Sequence, residues 1–132
     1  MTIARSRILI VDDEEGIRFL WRNALRKPAG AYEVVLVCDG REALEEISRV
    51  PFDLVITDLW MPRMNGIELT EAIQQLGYKV PIIWFTARGM QATQEHAERL
   101  GVHCCLYKPL AVAEMRQVVA DALATSQERA NT

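Results

Sequence analysis

Near its amino terminus the chain reads Ile8-Leu9-Ile10-Val11-Asp12-Asp13-Glu14. Four consecutive apolar residues run directly into three acidic ones. A strand that is apolar at every position is covered on both faces, as in a parallel sheet with helices on both sides. Similar short runs recur at residues 34–37, 54–56, 80–85 and 104–107. These runs predict five buried strands.

Longer amphipathic segments separate the apolar runs. The first has apolar residues at the three-four spacing of a helix face, and Pro28 with Gly30 is predicted to end this helix. The same spacing predicts helices that end before Pro51 and before Gly77, and two more over residues 90–100 and 112–123. Five alternations of strand and helix predict a single α/β domain with a parallel five-stranded sheet.

The composition narrows the class of protein. A length of 132 residues, half of them hydrophobic and a quarter charged, suits one globular domain and excludes a disordered chain or a disulfide scaffold. No apolar run approaches the roughly 18–20 residues of a membrane span. The net charge of −3 lacks the excess of positive charge typical of nucleic-acid binders. Three cysteines without a signal peptide predict reduced, buried thiols in the cytoplasm.

The residues that directly follow the predicted strands carry the chemistry, because the crevice of such a sheet lies beyond the carboxyl ends of its strands. Asp12 and Asp13 follow the first strand, Asp58 the third, Thr86 the fourth and Lys108 the fifth. Three carboxylates at one edge repel one another unless a cation compensates, and oxygen ligands suit Mg²⁺. Each residue alone has a simpler interpretation as a helix cap, a turn residue or a surface lysine. Their convergence favours a common site.

Four segments together resemble the receiver domain of bacterial two-component response regulators: residues 8–14, 53–66, 81–87 and 107–109. The resemblance extends from about Arg7 to Leu123. It implies a flavodoxin-like (βα)5 fold with strand order 2-1-3-4-5 and helices on both faces. A receiver domain is thus expected over residues 1–124, followed by a polar, frayed tail or the start of a linker over residues 125–132. A free-standing receiver and one domain of a longer protein both fit the sequence.

The resemblance implies a role for each acidic residue. Asp58 is expected to be the phosphoacceptor. Mg²⁺ is the expected cofactor, bound directly by Asp13, by Asp12 through a water molecule, by Asp58 and by the backbone carbonyl of Trp60. The cation and the lysine would offset the charge of the transferring group.

Further roles follow from the same resemblance. Thr86 and Lys108 are expected to contact the phosphoryl oxygens, and Tyr107 to change rotamer when Thr86 moves. Trp60 and Arg88 match positions that tune the lifetime of the phosphoryl group. The Lys108-Pro109 peptide matches a cis peptide of the family.

The implied function is a phosphorylation-dependent signalling switch and not a dedicated enzyme. Its expected donors are a sensor histidine kinase or a histidine phosphotransfer protein, and its expected targets are a downstream protein, an output domain or a second copy in a homodimer. Activation is expected to change the surface around the fourth helix, fifth strand and fifth helix. Neither nucleic acid nor membrane is an expected partner. Arg18, Arg22 and Arg26 form either a solvated face or a docking face for the kinase.

Two alternative functions use related features. A small Mg²⁺-dependent phosphatase would also use an aspartate at a strand end, but such enzymes have an Asp-x-Asp motif and a cap over the substrate. The acidic pair here is contiguous, and the chain has no spare length for a cap. A flavodoxin-type cofactor binder would need a phosphate-binding loop rich in Gly, Ser or Thr after the first strand, and the sequence has none.

Overall fold

A computed structural model describes residues 5–26, 31–87 and 91–130 of the chain. Strands and helices alternate within these ranges, as the hydropathy pattern predicts. The elements are β1 (Ser6–Val11), α1 (Glu15–Ala24), β2 (Tyr32–Val37), α2 (Gly40–Arg49), β3 (Leu54–Thr57), α3 (Gly66–Gln75), β4 (Ile82–Thr86), α4 (Gln91–Leu100), β5 (Cys104–Tyr107) and α5 (Val112–Ala130). No described helix is both long enough and apolar enough to cross a lipid bilayer.

The strands form one parallel sheet in the order β2-β1-β3-β4-β5, which confirms the predicted topology. β1 lies between β2 and β3, with Val11 paired to Val37 on one side and to Thr57 on the other. Because the strands are parallel, their carboxyl ends meet at one edge of the sheet. This edge carries the acidic residues.

Two apolar layers cover the sheet, one on each face. Ile8 and Ile10 pack with side chains of α1 and α5, whereas Leu9 and Val11 pack with side chains of α2, α3 and α4. These four residues of β1 are at most 1% exposed. Alternate residues of a strand point to opposite faces, so a strand covered on both sides must be apolar at each position.

The strands at the two edges of the sheet are less buried than predicted. β2 and β5 consist mostly of half-buried residues, since each has a neighbouring strand on one side only. The prediction that all three cysteines are buried core residues is therefore wrong, although Cys104 and Cys105 pack against the core. Cys104 and Cys105 lie in β5 and Cys38 directly follows β2, and all three are half-buried free thiols.

Two predicted boundaries also differ. Val80 and Pro81 precede β4 instead of belonging to it. Proline has no N–H, so it cannot donate a hydrogen bond to a neighbouring strand. Its carbonyl still accepts a hydrogen bond from Val55 N at 3.0 Å. α5 continues to Ala130, so residues 125–130 are helical and not a frayed tail. The hydrophobic spacing ends at Leu123, whereas the helical backbone continues through the polar residues that follow. The domain boundary at residue 124 stays a prediction.

The signals that end helices agree with the structure where it describes them. Gly77 after α3 and Gly101 after α4 have φ of 86° and 71°, the left-handed conformation in which glycine ends helices. α1 ends at Ala24, and the predicted stop signals Pro28 and Gly30 lie outside the described residues.

Candidate functional site

The predicted site residues lie at the carboxyl ends of four strands. Asp12 follows β1, Asp58 follows β3, Thr86 ends β4 and Lys108 follows β5. The backbone holds these ends in register, since Asp58 N donates to Val11 O at 2.9 Å and Lys108 N donates to Thr86 O at 2.8 Å. The structure brings residues from four separate parts of the sequence to one edge of the sheet.

Three carboxylates form a cluster around one ammonium group. Oxygens of Asp12, Glu14 and Asp58 all lie within 4.8 Å of one another. Lys108 Nζ lies 3.0 Å from Asp12 Oδ2, 3.3 Å from Asp58 Oδ2 and 3.7 Å from Glu14 Oε1. Asp12 and Asp58 are buried, whereas Glu14 is exposed. The lysine thus compensates a concentration of negative charge that the sheet edge imposes.

Burial and charge shift the ionisation of this cluster in opposite directions. The pKa of Asp12 is raised to about 6, because burial raises it more than the Glu14 N–H and Lys108 lower it. Burial alone would lower the pKa of Lys108, but the Asp12 and Asp58 carboxylates outweigh it and raise that pKa. The lysine is therefore held in its charged form against the two buried carboxylates.

The Asp58 side chain is held in one orientation. Its Oδ1 accepts a hydrogen bond from Leu59 N at 2.7 Å, while Oδ2 faces Lys108. Gly66, the first residue of α3, packs against the Asp58 carbonyl so closely that a Cβ at this position would collide with it. Gly66 N also donates to Leu59 O at 3.0 Å. One oxygen of Asp58 is thus fixed by the backbone and the other is presented to the site.

Thr86 and Tyr107 lie beside each other on β4 and β5. They are register partners in the sheet. Thr86 Oγ1 is buried and has no hydrogen-bond partner among the described residues, an arrangement that is costly unless a water molecule or a ligand supplies the partner. The Tyr107 side chain is half-buried and hydrogen-bonds the side chains of Cys105 and of Gln94 on α4.

A cavity of about 310 Å³ opens above the cluster. Its lining residues are Asp13, Glu14, Asp58, Trp60, Ala87 and Lys108. The Trp60 side chain is 55% exposed at the rim, where it can limit access to Asp58. Arg88, the other residue predicted to tune the lifetime of the phosphoryl group, lies outside the described residues.

The acidic cluster differs from the predicted ligand set in one member. Asp13 lines the cavity but is exposed and is not among the three clustered carboxylates. Glu14, which sequence reasoning did not assign, is in the cluster; its position directly after the acidic pair was the available signal. The choice of Asp12, Asp13, Asp58 and the Trp60 carbonyl as metal ligands therefore stays a prediction.

Arg18 is a second residue whose place the sequence did not predict. Its Nη1 donates to the Asp12 backbone carbonyl at 2.7 Å, so α1 is tied to the start of the site. This contact removes Arg18 from a solvated face, one of the two interpretations of the three arginines, while the docking interpretation stays a prediction. Lys108-Pro109, in the loop after β5, is a cis peptide.

The donor set fits Mg²⁺. The clustered side-chain donors are carboxylates alone, with no thiolate or imidazole among the three described members, and Mg²⁺ takes oxygen ligands with few dedicated side chains.

The volume of the cavity does not by itself distinguish this site. A cavity of about 340 Å³ lies at the opposite end of the sheet, near Phe52, Tyr78 and Val80, away from the acidic cluster.

Known proteins share these features. The family model "Response regulator receiver domain" matches residues 8–120. The chain is 35% identical over 121 residues to response regulator protein PilR of Pseudomonas aeruginosa, covering 92% of this chain and 27% of that protein. It is 33% identical over 113 residues to sensor histidine kinase RcsC of Salmonella typhi, covering 86% of this chain and 12% of that protein. The chain thus spans well under half the length of both relatives.

Solved structures agree with the sequence comparisons. Chemotaxis protein CheY4 of Vibrio cholerae is 31% identical and superposes with a TM-score of 0.82, covering 91% of this chain and all of that one. The receiver domain of a LuxO repressor protein of Vibrio parahaemolyticus is 26% identical with a TM-score of 0.89, covering 96% and 95% of the two chains. Fold, strand-end residues and family match agree, and the chain belongs to the response regulator receiver domain family.

Proposed function

We propose that the chain is a phosphorylation-dependent signalling switch in which Asp58 accepts a phosphoryl group. The observation that carries this proposal is the presentation of Asp58 Oδ2 beside Lys108, at 3.3 Å, in a cavity that opens to the surface. The second oxygen is held by the Leu59 N–H, so a single nucleophilic atom faces the cavity. Thr86 Oγ1, buried and unpartnered among the described residues, supports a ligand oxygen nearby.

The donor is a phosphohistidine of a sensor histidine kinase or of a histidine phosphotransfer protein. The N–P bond of the donor breaks and an O–P bond forms at Asp58, leaving the imidazole as the departing group. Asp58 attacks as a carboxylate, and Lys108 and Thr86 bind oxygens of the transferred group. Bound Mg²⁺, held by Asp12, Asp13, Asp58 and the Trp60 carbonyl, would neutralise charge that develops during the transfer. A dedicated phosphatase would use a similar aspartate, but nothing in the geometry favours it.

The response to phosphorylation uses the neighbouring pair on β4 and β5. Thr86 moves toward the phosphoryl group, and Tyr107 then changes rotamer beside α4. The altered surface of α4, β5 and α5 binds a downstream protein, an output domain or a second copy of the chain. Trp60 and Arg88 tune how long the phosphoryl group persists. The chain acts in the cytoplasm, without direct contact to nucleic acid or membrane.

Asp58→Asn tests this proposal. The amide keeps the shape of the side chain but removes the nucleophilic charge, so incubation with acetyl phosphate and Mg²⁺ should add one phosphoryl mass to the wild-type protein and none to the variant. Asp121→Asn, on the exposed surface of α5, is the matched control and should label like wild type. Labelling of Asp58→Asn at the wild-type rate would overturn the assignment. Rapid release of inorganic phosphate from phosphomonoesters, without accumulation of the phosphorylated protein, would instead indicate a phosphatase.

A further inference from the structure

The loop between β3 and α3 contains a strained turn. Met64 N donates to Pro62 O at 2.8 Å, and Arg63 between them has φ of 70°. A three-residue turn closed by such a hydrogen bond, with positive φ at its centre, is the rare and strained form of the γ-turn. A residue with a Cβ adopts this conformation only when its surroundings hold it there. Something outside the turn must therefore favour it.

The side chain of Arg63 supplies such a contact. Its Nη1 lies 3.3 Å from Asp39 Oδ2, in the turn between β2 and α2. The Asp39 side chain is 7% exposed, and its other oxygen accepts a hydrogen bond from Glu42 N at the start of α2. An ion pair between two exposed groups contributes little, but here the arginine compensates a buried carboxylate that is already fixed by the helix.

The residues next to this pair are in contact as well. A Cβ at Gly40 would lie 2.9 Å from Cβ, Cγ and Sδ of Met64, so only glycine leaves room for that side chain. Asp39 and Gly40 of one turn thus meet Arg63 and Met64 of the other loop. Two adjacent contacts restrict the path of the loop more than either contact alone.

This loop also carries the proposed metal-binding carbonyl. It begins at Leu59, directly after Asp58, includes Trp60, and is closed where Gly66 N donates to Leu59 O at 3.0 Å. A change in the conformation of Arg63 alters the direction of the backbone on both sides of it. The shape of the turn therefore constrains where the Trp60 carbonyl lies.

We propose that Asp39 and Arg63 are positioning residues for the metal site: their ion pair holds the strained turn, and the turn holds the loop in the shape that binds Mg²⁺. The inference rests on the proposed function, since it assumes that Mg²⁺ binds at this edge of the sheet. Neither residue touches the metal. Loss of the pair lowers the fraction of molecules in the binding shape and weakens the apparent affinity by the same factor.

The test compares three variants by titrating Mg²⁺ into ¹⁵N-labelled protein and following the Asp58 amide. Arg63→Ala loses the ion pair while its Cβ still makes positive φ unfavourable, and Asp39→Asn keeps the hydrogen bond to Glu42 N but loses the charge. Both should raise the Mg²⁺ dissociation constant by about three- to tenfold. Arg63→Gly loses the pair but removes the strain, because glycine adopts positive φ readily, and should bind within about twofold of wild type.

Controls separate positioning from general stability. Arg49→Ala removes an arginine that is equally exposed and paired with Glu46, and its dissociation constant should equal that of wild type. Urea unfolding in EDTA measures the stability of each variant. If Arg63→Ala loses stability but binds Mg²⁺ like wild type, or if Arg63→Gly binds as weakly as Arg63→Ala, the inference is wrong. Absence of saturable Mg²⁺ binding by the wild-type protein would overturn the proposed function, and the inference with it.

Discussion

Lys108 Nζ lies 3.0 Å from Asp12 Oδ2, although two strands separate β5 from β1 in the sheet. Their side chains are 11% and 2% exposed, so water screens this ion pair poorly. Asp58, at 3.3 Å from the same ammonium group, depends on the same positive charge. The lysine therefore has a structural role in the metal-free protein besides its proposed role toward the phosphoryl group.

Lys108→Met should destabilise the metal-free protein. Removal of the ammonium group leaves Asp12 and Asp58 buried without their cation, which we expect to lower the free energy of unfolding by roughly 2–4 kcal/mol. Urea unfolding in EDTA measures this loss. Mg²⁺ should then stabilise the variant more than it stabilises wild type. Lys79→Met, at an exposed lysine, is the control, and equal stability of the two variants in EDTA would contradict the prediction.

Thr70→Val tests a buried chain of hydrogen bonds beneath α3. Trp84 Nε1 donates to Thr70 Oγ1 at 2.9 Å, and that hydroxyl donates to Gly66 O at 2.8 Å. Valine has nearly the same shape but leaves the indole N–H unpaired, which should cost about 1–3 kcal/mol of unfolding free energy. Thr70→Ser keeps the hydroxyl and should recover most of the loss. An unchanged indole N–H resonance of Trp84 in Thr70→Val would show that this hydrogen bond does not form.

Trp60 should report metal binding by fluorescence. Its side chain is 55% exposed, whereas Trp21 and Trp84 are 0% exposed, so iodide should quench Trp60 selectively. Mg²⁺ bound through the Trp60 carbonyl should change this quenchable component. Trp60→Phe keeps the carbonyl, so it should bind Mg²⁺ with the wild-type dissociation constant by calorimetry while losing the fluorescence change. A change of undiminished size in that variant would assign the signal to another tryptophan.

The three thiols should react slowly in the folded protein. Burial raises the pKa of Cys104 from its ordinary value to about 11 and also raises that of Cys105, while the hydrogen bond to Glu42 is the main cause of the raised pKa of Cys38. The thiolate is the reactive form. Its fraction at Cys104 near pH 8 is thus roughly a hundredfold lower than in an unfolded chain.

Iodoacetamide labelling followed by peptide mass spectrometry checks this prediction. The rate at Cys104 should keep rising as the pH is raised toward 11, because deprotonation is incomplete below that value. The urea-unfolded protein at the same pH is the control and should label much faster. Equal labelling of Cys104 in the folded and the unfolded protein at pH 8 would contradict the raised pKa.

The sheet and its helices could be predicted because a strand that is buried on both faces must consist of consecutive apolar residues. Each of the last four residues of β1 faces one of the two apolar layers, so the run Ile8 to Val11 is apolar without interruption. The same reasoning failed where the apolar pattern does not coincide with the extent or the burial of the element. α5 continues through polar residues to Ala130, and β5, at the sheet edge, is only half-buried.

The part of the site that lies at the ends of the strands could be predicted from the sequence. Parallel pairing alone brings the ends of β1, β3, β4 and β5 to one edge, so Asp12, Asp58, Thr86 and Lys108 could be placed together from their positions after apolar runs. That reasoning could not predict which side chains point into the carboxylate cluster. Glu14, and not Asp13, joins the carboxylate cluster, since the direction of each side chain depends on how the loop meets α1.

The order of strands and helices, the edge of the sheet that carries the charged groups and the family of the motifs all follow from the sequence alone. The contact of Arg63 with Asp39, the hydrogen bond from Trp84 to Thr70 and the sharing of Lys108 by several carboxylates became known only from the folded structure. Periodicity and turn residues act over a few neighbouring positions, whereas these contacts join residues far apart in the chain, and packing of the helices on the sheet sets their distances.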